Sequence, residues 1–160
     1  MSKVYAYHAT PIINKPSIEK NGLMLNQMPI NKDIKYYTED QLFFTFASAN
    51  EAKSIVKEMM EDEGVVSDII VYRIPIEVFD VRDVSYDYNV KCLYQEDIKN
   101  FTYSNRIPYK MMEVVPPNEM DVGYTMYELL WCNNEKARDI GEKLIDIWEE
   151  EISWLYEEDY

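Results

Sequence analysis

The sequence predicts an α+β fold in a single domain, and three observations carry that reading. Residues 3–8 (KVYAYH) alternate, with Val4, Ala6 and His8 on one side and Tyr5 and Tyr7 on the other. That period of two marks a strand. Residues 41–47 (QLFFTFA) and 68–76 (DIIVYRIPI) are short β-prone apolar runs, the pattern of buried strands. Ala49, Ala52, Ile55, Val56, Met59 and Met60 recur at helical spacing, and Ala137, Ile140, Leu144, Ile147, Trp148 and Leu155 do so again. With 160 residues the chain is long enough to hold a core without a metal or disulfide.

Along the chain, Pro11 stops or bends the first strand, and Pro16 suits the first turn of a short helix. In PSIEKNGL, Ile18 faces inward, Gly22 is the stop and Leu23 the apolar contact behind it. Residues 26–40 turn polar and form a long loop carrying Pro29 and the pair Tyr36-Tyr37; loops of that length in small domains are usually functional or mobile. Ser48 and Glu51 have capping-box spacing, and Gly64 closes the helix they open. Pro75 in the strand at 68–76 points to an edge position or a bend.

FDVRDV at 79–84 then reads as a short strand, and some helix is expected near 94–100 within a polar, aromatic stretch. RIPYKMMEVV at 106–115 returns to strand character before the Pro116-Pro117 break. Past the break, GYTMYELLWC at 123–132 is open between strand and helix. Asn133 or Asn134 caps a long amphipathic helix that runs into an acidic tail. The organisation is thus residues 1–118 plus a C-terminal extension, 119–160, packed on the same domain.

Thirty acidic residues against sixteen basic ones give a net charge of −14. Phosphate binding rests on Lys and Arg, so direct nucleic-acid binding is disfavoured. A basic protein surface is the partner such a charge fits, unless the acids serve solubility alone. No stretch approaches the roughly 20 apolar residues of a membrane span. No secretory leader pattern opens the chain, and Cys92 and Cys132 lack metal-ligand spacing. Reduced cysteines and a cytoplasmic location are the expectation. Small, acidic, Tyr- and Met-rich chains of this style are often bacteriophage-encoded.

Several chemistries lack their residues. Neither a Rossmann nor a P-loop glycine pattern is present, and His8 is the only histidine available to a nucleophilic triad or a metal site. What remains is an ordered set of short motifs. YHAT at 7–10 ends the first strand, and IEKNGL closes the first helix. FFTFASANEA joins a strand to a helix, and IPYKMMEVV follows at 107–115. In this order they resemble the ADP-ribosyltransferase superfamily, in the branch whose signature is His, an aromatic, then Glu. The resemblance covers about residues 4–115.

It implies two small, packed, mainly antiparallel sheets with flanking helices, and NAD as the substrate. His8, Ala9 and Thr10 would hold the NAD ribose. Tyr36, Tyr37 or Phe44 would stack on the nicotinamide, with Thr45 beside them. Glu113 would be the catalytic carboxylate, acting with His8 on an oxocarbenium-like transition state. Met111 stands where arginine-directed members carry an acid or Gln, which disfavours arginine and leaves another protein side chain as the expected acceptor. The alternative is a catalytically inactive acidic inhibitor or adaptor that binds a basic protein surface or mimics nucleic acid, docking through residues 149–160.

Overall fold

A computed structural model describes residues 3–25, 41–88 and 92–152. Its strands are β1 (Tyr5–Pro11), β2 (Leu42–Thr45), β3 (Ile69–Pro75), β4 (Val84–Tyr86), β5 (Asn100–Tyr103) and β6 (Glu113–Val114). Its α-helices are α1 (Lys15–Asn21), α2 (Ala49–Asp62), α3 (Met126–Trp131) and α4 (Glu135–Ile147). The fold is α+β, and the six strands form one antiparallel sheet in the order β4-β5-β2-β1-β3-β6.

The expected pair of packed sheets is replaced by this single sheet, which nevertheless has a seam. β1 pairs with β3 along its whole length, from Tyr5↔Pro75 to Pro11↔Ile69. β2 pairs with β5 from Leu42↔Tyr103 to Thr45↔Asn100. Between these two halves, β1 and β2 pair only at Tyr7↔Thr45 among the described residues. β4-β5-β2 and β1-β3-β6 are therefore two three-stranded halves whose backbones pair at one position.

The alternation read from the sequence decides what each face packs against. Ala6 of β1 and Val4 just before it join Phe44, Phe101, Tyr72 and Ile74 in the larger core, which α3 and α4 cover with Leu129, Ile140 and Leu144. Tyr7 and Ala9 point the other way and pack with Val71 and Val115 against Ala49 and Ala52 of α2. Burial of these apolar side chains, at about 25 cal/mol per Å², is the main force holding helices to sheet.

Helix ends follow the expected capping chemistry. Pro16 lies in the first turn of α1, Ile18 is its buried residue, and Gly22 ends it at φ 74°. Ser48 accepts from the Glu51 amide at 3.0 Å, opening α2. Asn134 caps α4 by accepting from Ala137 N–H at 3.0 Å. Residues 126–131 resolve to helix because Thr125 and Glu128 form a reciprocal capping box.

Three segments differ from the sequence reading. Residues 81–83 form a 3-10 turn, and the strand begins only at Val84. Helix near 94–100 is limited to a 3-10 turn at Gln95–Asp97, and β5 starts at Asn100. Residues 106–115 hold a 3-10 turn at Tyr109–Met111, which leaves β6 two residues long. Pro75 marks the bend at the end of β3, a strand flanked by β1 and β6.

The cations of α4 are spent on its attachment. Lys136 Nζ donates to the Phe79 carbonyl, Lys143 Nζ to that of Val81 and Arg138 Nη1 to that of Cys132, each at 2.7 Å. Among the described residues no helix is long and apolar enough to cross a membrane.

Candidate functional site

The seam places His8. One residue past the Tyr7↔Thr45 contact, the His8 ring turns to β2 and its Nδ1 lies 2.8 Å from the Phe43 carbonyl oxygen. A carbonyl only accepts, so Nδ1 carries the proton and the neutral ring presents Nε2 as an acceptor. Burial holds the pKa of His8 below its usual 6.5, against the opposing pull of the Phe43 bond. The imidazole is therefore neutral near pH 7, with no partner for Nε2 among the described residues.

Thr10 shares the His8 side of β1 by alternation. Its hydroxyl is buried and accepts from Asn14 Nδ2 at 2.8 Å, which ties the strand end to the turn that follows. Phe44 lies beside His8, with ring centroids 5.4 Å apart. It is stacked on Phe101 at 5.5 Å and meets Phe79 edge-on at 5.0 Å, so its faces are occupied by the core. Phe44 is a packing residue, and a nicotinamide has no free face on it.

Register separates the remaining candidates. Tyr7 pairs with Arg73 and Arg73 with Glu113, while His8 pairs with Tyr72 and Tyr72 with Val114. Side chains directly opposite each other in antiparallel strands share a face. Glu113 therefore lies on the α2 face and His8 on the other, so the two do not line one cleft. Ala9 also belongs to the α2 face, packed with Ala49 and Ala52. Thr45 is on that face too, donating to the Lys99 carbonyl at 2.8 Å and accepting from the Ala47 amide at 3.2 Å. Tyr36 and Tyr37 lie outside the described residues.

Glu113 has a partner where it stands. Arg73 Nε donates to Glu113 Oε1 at 2.5 Å and Nη1 to Glu119 Oε2 at 2.8 Å, while its guanidinium carbon sits 4.5 Å from the centre of the Tyr5 ring. The Arg73 side chain is 15% exposed and that of Glu113 53%. A largely desolvated guanidinium requires such partners. The motif that suggested a catalytic carboxylate is thus explained by an edge strand fastened to β3.

Two groups escaped the sequence reading. Arg73 was visible as the lone cation of DIIVYRIPI, a signal that a carboxylate must meet it. Tyr72 is wholly buried beside His8, and its hydroxyl has no hydrogen-bond partner among the described residues. Burial, with smaller contributions from Tyr109 and Glu19, pushes its pKa up to about 12. Among the described residues no three His, Cys, Asp or Glu side chains are grouped to hold a metal ion. The chain matches no protein-family model and no curated protein.

Proposed function

We propose that the chain is an ADP-ribosyltransferase-like protein that binds NAD at the β1–β2 seam, with His8 Nε2 accepting from a ribose hydroxyl. The supporting observation is the His8 ring, kept neutral by burial and fixed in one tautomer by the Phe43 carbonyl. An acceptor preorganised in this way suits a diol, which has hydroxyl protons to give. Thr10, buried and braced by Asn14, ties down the end of β1 two residues beyond His8.

Transfer of ADP-ribose to a protein acceptor demands more. A carboxylate must stand near the anomeric carbon as positive charge develops there. Glu113 is on the other face and held by Arg73, so the arrangement favours NAD as a bound ligand over NAD as a consumed substrate. A second reading, the inactive acidic adaptor for a basic protein, is favoured by that same Glu113–Arg73 pair.

The chain has one imidazole, so its proton resonances report on the site without ambiguity. Addition of NAD should shift the His8 signals and raise the melting temperature. At 100 times the dissociation constant the gain is about 2.7 kcal/mol. No shift and no rise at millimolar NAD would overturn the binding reading. Incubation with labelled NAD and a cell lysate separates the rest. Label transfer that Glu113→Gln abolishes restores Glu113 as the catalytic carboxylate, and binding without transfer supports the ligand role.

A further inference from the structure

We infer that the corner between α3 and α4 is a docking groove for an arginine side chain from a basic segment of a partner protein. This inference is independent of NAD binding at His8. Its starting point is Trp131, the last residue of α3, which is 83% exposed. Trp is on average among the well-buried side chains, so one left almost bare at the end of an anchored helix is unusual. Met126 and Leu129 of the same helix are buried, so α3 is anchored and Trp131 is held outward by a fixed scaffold.

Trp131 borders a cavity of about 920 Å³, whose apolar wall includes Val4 and Tyr124 and whose acidic groups are Glu77, Glu135 and Asp139. Glu135 and Asp139 are four residues apart on α4, so both project to the same side of that helix. Glu77 is oriented by Asn134, whose Nδ2 donates to its Oε1 at 2.6 Å. The two cations of the lining, Lys3 and Lys136, leave the three carboxylates in excess by one. Lys136 turns its ammonium to the Phe79 carbonyl, and Lys3 stands as the single other cation of the lining. Neither Glu77, Glu135 nor Asp139 is in an ion pair among the described residues.

An exposed indole face with carboxylates beside it selects a cation that is also flat. A guanidinium stacks on Trp and offers paired N–H donors to a carboxylate, which an ammonium cannot do in one plane. Arginine in a basic protein segment is therefore the occupant, and a net charge of −14 steers such a segment toward the surface. Trp and Arg are also the residues most often found at the energetic centre of interfaces.

The test uses a short amidated peptide with two arginines flanking a leucine, titrated into the full chain by calorimetry at physiological salt. Binding is expected, with at least an approximately tenfold loss in Trp131→Ala and in the double variant Glu135→Gln/Asp139→Asn. The control is Glu58→Gln/Glu61→Gln on α2, which removes the same charge from exposed positions elsewhere and should leave affinity nearly unchanged. A lysine version of the peptide should bind more weakly than the arginine one. Equal losses in the two double variants would mean diffuse attraction to an acidic protein and overturn the site. No binding at millimolar peptide, or full affinity in Trp131→Ala, would overturn it as well. The changed side chains are exposed, and an unchanged melting curve confirms that each variant is folded.

Discussion

His8 connects local chemistry to bulk behaviour at the scale of one residue. Burial lowers its pKa, so as pH falls the unfolded chain takes up that proton before the folded one. The stability associated with the neutral ring is complete above about pH 6.5 and is lost as pH drops toward the folded value. Proton titration of the sole imidazole should give a midpoint below 6.5, and His8→Gln should flatten the pH dependence of unfolding in that window. Tyr72 predicts the opposite kind of change. Its buried hydroxyl has no partner among the described residues, so Tyr72→Phe should stabilise the fold by about 1 kcal/mol in urea denaturation. Glu113→Gln should cost under about 1 kcal/mol, because its side chain is half exposed and the Arg73 pair is partly screened. That His8 lies on a strand was legible from the alternation of KVYAYH, but its place was not: β1 runs on to Pro11 and puts His8 mid-strand and not at the end. The face of Glu113 was not, because parity cannot be counted through the 3-10 turn at Tyr109–Met111.

Elements were legible where local chemistry decided them. Ser48 and Asn134 caps, the Gly22 stop and the buried stripe of α4 all follow from residue type and spacing. β5 was not, since four polar-aromatic residues carry almost no periodicity and exist through their partner strands, while β6 is the two residues that remain of the strand expected over 106–115. Gly22 and Gly64 separate two causes of a glycine requirement. Both have positive φ, at 74° and 70°. A Cβ on Gly22 would lie 2.2 Å from the Ile107 carbonyl oxygen, whereas one on Gly64 would meet nothing within 4 Å. Gly64→Ala should therefore cost about 1 kcal/mol of backbone strain. Gly22→Ala should cost clearly more, because it also pushes apart the bridge between Leu23 and Ile107. Thermal melts of the pair give the difference directly.

At the scale of the whole molecule, the charge read from composition acquires a location. Glu135, Asp139, Glu142 and Asp146 are exposed at successive helical intervals along α4, while Lys136, Arg138 and Lys143 of the same helix hold backbone carbonyls. The ridge is therefore a line of like charges whose natural counterions are engaged elsewhere. Screening should relieve it, so raising sodium chloride from 0.1 to about 1 M should increase the melting temperature. Loss of stability with salt would instead mean that ion pairs such as Arg73–Glu113 dominate.

The junction at Tyr7↔Thr45 also sets how the molecule breathes. A sheet stitched continuously would open as one cooperative unit. Here the two three-stranded blocks share a single backbone pair among the described residues and are held across the seam mainly by side chains. The β1–β2 line can therefore open before either block loses its own pairing. Native-state amide exchange should then resolve two foldons. Amides shared by β1 and β3 should exchange only with global unfolding, while those along the β1–β2 line exchange through a lower-energy opening. His8 stands on that line, so its surroundings would loosen and close on the timescale of the opening, ahead of any unfolding of the core.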